Sequence, residues 1–243
     1  MRAANRKVYD LPLKNLNWNL FTDLLDEAHL TLKNFNEVLT GEVISKLIHQ
    51  EAIASAKSKK KQNILVYERA LRKSVARIKT QAFSYRLICQ MHKDINIKTL
   101  YPKRDQGKFR DRQNWIGHEG CSIEEAYFFP PDVASMKRAM ANLKAYFFYK
   151  EKDPLIQLAI FVGQMLIIHP FMDGNGRVAR MLIPVFLYKK KLISEPYFYL
   201  SSYFKKHNKK YHRKLNKLTT NKGWEEWIIF FLKGIIEQNS KNG

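Results

Sequence analysis

A histidine, a carboxylate, a glycine-rich turn and two arginines lie between His169 and Arg180. Phosphate transfer needs a base for a hydroxyl proton, a carboxylate for a divalent cation, backbone amides for phosphate oxygens and guanidinium groups for the remaining negative charge. Taken singly, each of these residues has a simpler structural explanation, such as a turn or a solvated helix face. Their occurrence together at this spacing predicts a nucleotide-dependent enzyme.

The glycine-rich turn is Gly174-Asn175-Gly176, and a helix is expected to follow it. Glycine permits backbone conformations in which successive N–H groups point to one centre, and the helix N-terminus adds positive potential there. Arg177 and Arg180 are three residues apart on that helix, so both can reach one phosphate chain. Asp173 is placed to hold a divalent cation. His169 can accept a hydroxyl proton, because a histidine ordinarily has a pKa near neutrality.

The segment resembles the signature of the Fic family, His-Pro-Phe-x-Asp/Glu-Gly-Asn-Gly-Arg-x-x-Arg, and matches it at every fixed position from His169 to Arg180. The resemblance implies an all-α Fic fold, which is a helical bundle with a small β-hairpin flap. It also implies transfer of AMP from ATP to a Ser, Thr or Tyr hydroxyl of a target protein, with release of pyrophosphate. ATP as substrate and Mg²⁺ as cofactor belong to that activity.

The resemblance also implies a role for each motif residue. His169 would be the general base, Asp173 would hold Mg²⁺, and the amides of Gly174 to Gly176 would cradle the α- and β-phosphates. Asn175 would orient the loop and contact phosphate. Arg177 would steady the β-phosphate side and complete a catalytic set with the histidine and the asparagine.

Further nucleotide contacts are implied outside the catalytic set. Arg180 would hold the γ-phosphate. Near the end of the chain, Asn208 and Tyr211 resemble family residues beside the adenine pocket.

A polar stretch before the motif resembles the Fic flap, a hairpin that clamps an extended target segment by strand pairing. Two short strands are predicted, Gly107–Arg110 and Ala126–Phe129, joined across a glycine-containing turn. Docking of the target on this flap is expected to involve Arg110, Asn114, Trp115, Ile116 and Gly117.

Hydrophobic spacing predicts helices over most of the remaining chain. The predicted helical segments are 16–32, 42–56, one long helix from Asn63 past Cys89, 132–149, 154–168, 178–191 with a proline inside, 204–218 and 224–238. Three regions follow: an N-terminal helical region (1–95), a Fic core with flap and motif (96–195) and C-terminal helices (196–243). We expect them to form one compact unit.

Composition argues against secreted and membrane classes. The chain has only two cysteines, so no disulfide framework is indicated, and no apolar leader follows Met1. The longest apolar run, Leu155 to Ile168, is interrupted by Gly163 and two glutamines and is too short for a membrane span. We therefore expect a soluble, cytoplasmic protein with no membrane attachment.

The formal net charge is +21, from 43 Lys and Arg against 22 Asp and Glu. Either a polyanionic partner or lysine-rich solvated helix faces explain this excess. No helix-turn-helix, zinc-finger spacing or RNA-binding aromatic motif supports nucleic-acid binding. The expected partner is a protein substrate with a hydroxyl side chain, and self-modification and a homodimer stay open.

Many Fic proteins carry an inhibitory helix, Ser/Thr-x-x-x-Glu-Gly/Asn, whose glutamate pairs with the second motif arginine. The matching stretch begins at Glu51, with Ser55 at the serine position, Lys59 at the glutamate position and Lys60 after it. A lysine repels Arg180 instead of pairing with it. The resemblance therefore implies a degenerate inhibitory motif, with regulation either absent or supplied by a separate chain.

Two alternatives to AMP transfer stay open. One is a Fic enzyme that transfers UMP, phosphocholine or phosphate from another donor. The other is a catalytically quiet interaction or nucleic-acid-binding protein on the same fold. Gly176 favours AMP transfer over phosphate transfer, because the related phosphotransferase branch carries a lysine at that position. The intact His169, Asp173 and both arginines favour an enzyme over a scaffold.

The degenerate motif leads to a prediction about self-modification. The purified protein should label itself with ATP and Mg²⁺ without an activating mutation. Lys59→Glu should restore a pair with Arg180 and lower that labelling by ~5–150-fold, the range of a 1–3 kcal/mol coupling. Incorporation of labelled AMP measures the effect, and circular dichroism checks folding. If the wild-type protein does not label itself and Lys59→Glu changes nothing, the inhibitory element lies elsewhere.

Overall fold

The computed structural model describes residues 9–56 except 12, 61–95, 105–118, 121–126, 128–220 and 223–238. Within this part of the chain the secondary structure is helical, and the predicted all-α class is confirmed. A 3-10 turn at Trp18–Leu20 precedes the α-helices. The α-helices are α1 (Thr22–Glu37), α2 (Gly41–Ser55), α3 (Lys61–Thr80), α4 (Tyr85–Ile95), α5 (Val133–Phe148), α6 (Pro154–Ile168), α7 (Asn175–Lys189), α8 (Ser201–Lys206), α9 (Asn208–Leu218) and α10 (Trp224–Ile236).

Side-chain caps determine where several helices begin. The Asp132 carboxylate accepts the Ser135 amide at 2.9 Å and starts α5. The Asp153 carboxylate accepts the Leu155 amide at 2.7 Å, and Pro154 occupies the first turn of α6. An aspartate cap satisfies an amide that has no partner inside the helix, and proline lacks one to satisfy. The predicted starts of these two helices are therefore confirmed.

Two predicted helices are each divided. The long helix expected from Asn63 past Cys89 ends at Thr80 and resumes at Tyr85, where the Ser84 hydroxyl accepts the Leu87 amide at 3.2 Å. The helix expected at 204–218 is interrupted at His207, between α8 and α9. Hydrophobic spacing continues across both breaks, so periodicity alone does not reveal them.

The prediction of a two-stranded flap is wrong at its first strand. The segment Gly107–Arg110 is not a strand, because Gly107 has a φ of +71° and the Arg110 amide donates to the Pro170 carbonyl at 2.8 Å. Pairing in the described part of the flap is one antiparallel bridge between Ile116 and Phe128. The flap is thus a loop held against the motif, with a single bridge near its tip.

Helix α6 lies at the centre of the core and packs against α5, α7, α9 and α10. All of its residues except Pro154 are buried, and it carries no charged side chain. At Gly163 an added Cβ would lie 2.9 Å from atoms of both Trp224 and Trp227. The Trp227 indole N–H donates to the Ala159 carbonyl at 2.8 Å, so α10 docks directly on the α6 backbone.

The apolar length of α6 does not make it a membrane segment. Among the helices of the described residues, none combines the length and the apolar character that a bilayer crossing requires.

Tertiary contacts give acidic partners to some of the lysines and arginines that are clustered along the sequence. Glu226 on α10 pairs with two lysines of α9, Lys214 at 2.8 Å and Lys217 at 2.6 Å. Asp94 on α4 similarly pairs with Lys73 and Arg77 of α3, at 3.1 and 2.8 Å. Runs of cations that look unpaired along the sequence are therefore partly ion-paired between helices.

The close approach at Gly163 predicts an unusual substitution effect. Gly163→Ala should destabilise the fold by about 1–3 kcal/mol, because α6 and α10 must separate, although alanine normally favours a helix. The melting temperature should fall by roughly 2–10 °C in a scan of the purified protein.

Gly41→Ala is the matched control, since nothing lies within 4 Å of a Cβ added there. It should leave the melting temperature unchanged or raise it. An equal effect of both substitutions would contradict the packing account of Gly163.

Candidate functional site

His169 follows the last residue of α6 and adopts a left-handed conformation with φ +51°. Its Nδ1 lies 3.3 Å from the Leu166 carbonyl oxygen, which can only accept, so Nδ1 carries the proton. Nε2 therefore carries the lone pair. The Arg110 side chain holds the backbone of this histidine, because its Nε donates to the His169 carbonyl at 3.0 Å. The histidine is held as the tautomer that can act as a base.

The environment of His169 also favours the neutral ring. Burial lowers its pKa to about 4, and the nearby Arg110 cation contributes in the same direction. An imidazole with this pKa is unprotonated at neutral pH. It can therefore accept a proton there without first losing one.

The loop after His169 is held by two buried asparagines. Asn175 accepts the Phe171 amide at 2.8 Å through its side-chain oxygen and donates to the Phe171 carbonyl at 2.8 Å. Asn114 donates to the same carbonyl at 2.9 Å. The Asn175 side chain thus closes the loop on itself, which is the orienting half of its expected role.

An anion cradle follows at the start of α7. Gly174 has a φ of +76° and precedes the first helical residue, so the N-terminal amides of α7 are next to the loop. The Asp173 carboxylate accepts the Gly174 amide at 2.6 Å and lies 3.7 Å from Arg177. Gly176 brings the backbone close to Arg180, since an added Cβ would lie 3.1 Å from its Nη1.

The two motif arginines have different partners. Arg177 is 8% exposed and pairs with Asp173 beside the loop. The Nε and Nη2 of Arg180 donate to the Ser55 hydroxyl at 3.4 and 3.2 Å. Its Nη1 lies on the side of Gly176, where phosphate oxygens are expected.

Ser55 belongs to a buried polar network that the sequence did not reveal. The hydroxyls of Ser55 and Ser201 both donate to one carboxylate oxygen of Glu51, at 2.7 Å each. Burial raises the pKa of Glu51, and the Arg180 cation opposes that shift. The one available signal was the four-residue spacing of Glu51 and Ser55, which places both on one helix face.

The predicted inhibitory stretch is only partly described. The structure places Ser55, the last residue of α2, against the second motif arginine, Arg180. Lys59 and Lys60 lie outside the described residues. The assignment of the degenerate motif stays a prediction.

A cavity of about 570 Å³ joins the motif to the C-terminal helices. It has the size of small-molecule sites in general. Its lining includes five residues predicted to serve the nucleotide or the chemistry: His169, Gly176, Arg180, Asn208 and Tyr211. Residues far apart in the chain therefore share one space.

The five predicted flap residues divide into two groups. Arg110 and Asn114 are 2% and 3% exposed and donate to carbonyls of the motif loop, so their side chains are buried beneath the flap. Trp115 is 41% exposed, and Ile116 forms the bridge and lines the cavity. Gly117 follows the bridge, and an added Cβ there would lie 2.2 Å from the Cys121 sulfur.

The described residues contain no group of three or more His, Cys, Asp or Glu side chains arranged for a metal ion. Asp173 is a single, partly exposed carboxylate at the cradle. This fits Mg²⁺, which typically binds through one or two carboxylates together with water and substrate phosphates. It does not fit a fully protein-ligated ion.

Besides the network around Ser55, His92 on α4 was also not identified from the sequence. It is 2% exposed and hydrogen-bonds to the Asp173 carbonyl at 2.9 Å. Its only signal in the sequence is a histidine on the apolar face of an amphipathic helix, which is most often a core residue.

Comparison with known proteins identifies a domain within this fold. Residues 82–187 match the sequence profile of the Fic/DOC family. A Fic family protein from Desulfovibrio desulfuricans G20 is similar in structure, with a TM-score of 0.75 and 16% identity over 96% of this chain and 76% of the other.

Two further solved structures share the fold. Fic-1 from C. elegans has a TM-score of 0.61 and 14% identity over 92% of this chain and 72% of the other. A Fic domain containing signaling protein from Bacteroides thetaiotaomicron VPI-5482 has a TM-score of 0.55 and 15% identity, covering 98% and 92%. At these identities the likeness establishes the fold.

The state of His169 can be measured directly. In ¹⁵N NMR of the ring, assigned by loss of its signals in His169→Ala, the neutral Nδ1–H tautomer should dominate at pH 7. The ring should titrate with a midpoint at about 4, because burial and Arg110 disfavour the imidazolium. A midpoint near 6.5, or an Nε2–H tautomer, would contradict the geometry.

Proposed function

We propose, from the premise that residues 82–187 form a Fic domain, that the protein is an adenylyltransferase that transfers AMP from ATP to a hydroxyl side chain of a protein. Fic proteins commonly transfer a nucleotide or another group to protein targets. AMP transfer from ATP is the specific member of that class that we assign to this chain.

One observation carries the proposal: a neutral histidine and an anion cradle share a cavity large enough for a nucleotide. His169 presents Nε2 as its proton-accepting nitrogen, and Gly176 and Arg180 line the same space. Asn208 and Tyr211 extend that lining over α9, where the adenine of the nucleotide can bind. A base without a cradle, or a cradle without a base, would favour a binding protein.

The chemical step follows from these positions. Nε2 of His169 accepts the proton of the target hydroxyl as the hydroxyl oxygen forms a bond to the α-phosphorus of ATP. The bond from that phosphorus to the oxygen bridging to the β-phosphate breaks, and pyrophosphate leaves with the electron pair. Positioning and electrostatic stabilisation supply most of the acceleration in phosphoryl-type transfers, so the cradle matters as much as the base.

The remaining motif groups would stabilise the charge that the step redistributes. The α7 amides next to Gly174 would bind phosphate oxygens, and Nη1 of Arg180, which lies close to Gly176, would add positive charge beside them. Asp173 is the residue that would hold Mg²⁺, which when bound neutralises phosphate charge. The flap would present the target by pairing its edge near Ile116 with an extended segment.

A nucleotide labelled at defined phosphates distinguishes AMP transfer from the alternatives. With ATP labelled at the α-phosphate, the wild-type protein should label itself or proteins of a lysate, whereas ATP labelled at the γ-phosphate should give none. His169→Ala should lower the α-label by ~10²–10⁴-fold. Its ATP affinity should stay nearly unchanged, because the histidine contacts the hydroxyl and not the nucleotide.

Circular dichroism and calorimetric ATP binding serve as controls for folding and for an intact cradle. Retention of the γ-label would indicate phosphate transfer, and labelling from UTP alone would indicate another donor. If ATP binds and nothing is labelled in any reaction, the protein is a quiet binding protein and the assignment is wrong.

A further inference from the structure

His92 lies where three segments of the chain meet. It belongs to α4, its ring nitrogens contact the start of the flap and the motif loop, and its ring stacks on Phe171. The two ring centroids are 3.9 Å apart, and the planes are inclined by 5°. The ring is buried and is held on both edges and on one face.

The hydrogen bonds of His92 determine its protonation state. The Gly107 amide donates to Nδ1 at 2.8 Å, so Nδ1 must carry a lone pair. Nε2 lies 2.9 Å from the Asp173 carbonyl oxygen, which can only accept, so Nε2 carries the proton. The ring is therefore a neutral Nε2–H tautomer, the opposite of the tautomer at His169.

The accepting carbonyl is part of a peptide group that could otherwise turn over. A peptide group is planar and trans, so the direction of the Asp173 carbonyl also sets the direction of the Gly174 N–H. Gly174 has a φ of +76°, and glycine occupies positive and negative φ with similar ease. Local conformation alone therefore does not select one orientation of this peptide.

Two functional groups depend on that orientation. The Gly174 N–H donates to the Asp173 carboxylate at 2.6 Å, so rotation of the peptide would release the side chain expected to hold Mg²⁺. The same N–H belongs to the turn that begins the anion cradle. His92 is placed to select the productive orientation through one N–H donor.

We propose that His92 is a positioning residue: its Nε2–H holds the Asp173–Gly174 peptide so that the Asp173 carboxylate and the anion cradle face one phosphate chain. The consequence for turnover rests on the proposed AMP transfer, whereas the consequence for the loop does not. His92 does not touch the cavity, so it acts through the loop and not on the reacting atoms.

The structural half is tested without substrate. Ring ¹⁵N signals of His92 in the wild-type protein at pH 7 should show the neutral Nε2–H tautomer. The Gly174 amide signal should be sharp in wild type and broadened by exchange in His92→Phe, which retains stacking on Phe171 but loses the hydrogen bonds to Gly107 and Asp173. An Nδ1–H tautomer, or an unbroadened Gly174 signal in His92→Phe, overturns the proposal whether or not the protein has transferase activity.

The functional half uses a conservative rescue. His92→Phe should lower AMP transfer by ~10–100-fold and raise the Mg²⁺ concentration needed for half-maximal rate, as losses of supporting partners typically do. His92→Gln offers an amide N–H at similar reach and should recover most of the loss. His207→Phe is the matched control, since that histidine also contacts an aromatic ring and a hydrogen-bond partner but lies outside the motif.

The outcomes separate the positioning role from simple stability. Melting temperatures of the variants identify any loss that comes from unfolding, and if His92→Phe does not fold, His92→Gln and the wild-type tautomer decide. Equal activity and equal Mg²⁺ requirement in folded His92→Phe and wild type overturn the proposal. A wild type that shows the expected tautomer and a sharp Gly174 signal but transfers nothing contradicts the proposed function alone.

Discussion

The irregular loop from His169 to Gly174 must keep one conformation at the boundary between the apolar core and the cavity, and the rest of the site depends on that constraint. The segment from His169 to Gly174 joins two buried helices but is itself in no regular structure. Its amides and carbonyls cannot be left without hydrogen bonds there, because an unpaired buried polar group costs about 1–3 kcal/mol. Side chains from outside the loop provide several of those bonds.

Three separate parts of the chain contribute these side chains. His92 comes from α4, Arg110 and Asn114 come from the flap, and Asn175 comes from α7. Each bonds a different point of the loop or shares the Phe171 carbonyl. The flap therefore supports the motif loop and also carries the exposed side chain of Trp115. Movement of the flap would disturb the hydrogen bond from Arg110 to the His169 carbonyl.

Helix α6 gives the motif loop a rigid point of attachment. It is buried along nearly its whole length, and the close approach at Gly163 together with the hydrogen bond from Trp227 to Ala159 holds it against α10. Its C-terminal end therefore delivers His169 at a fixed place. Arg110 adds a buried cation beside that histidine, and burial together with this charge keeps the ring neutral. Burial of α6 and of the histidine that follows it therefore both stabilises the core and lowers the pKa of His169.

The helical class and the capped starts of α5 and α6 follow from local sequence, because they depend on residues a few positions apart. The chemistry of the motif is likewise a prediction from neighbouring residues. Division of the helices at Ser84 and His207 could not be predicted, since the apolar spacing runs through both. The strand predicted at Gly107–Arg110 failed because the Arg110 amide bonds to the motif loop.

The side chains that support the motif come from distant parts of the chain and depend on tertiary contacts. The bond from His92 to Asp173 joins residues 81 positions apart, and the bond from Arg180 to Ser55 joins residues 125 apart. Spacing along the chain sets local conformation, but it carries no information on which distant side chain packing will place beside a given carbonyl or guanidinium. The proposed chemistry can therefore be predicted from twelve consecutive residues, His169 to Arg180. The order that makes it usable comes from α2, α4 and the flap, which are brought to those residues only when the core forms.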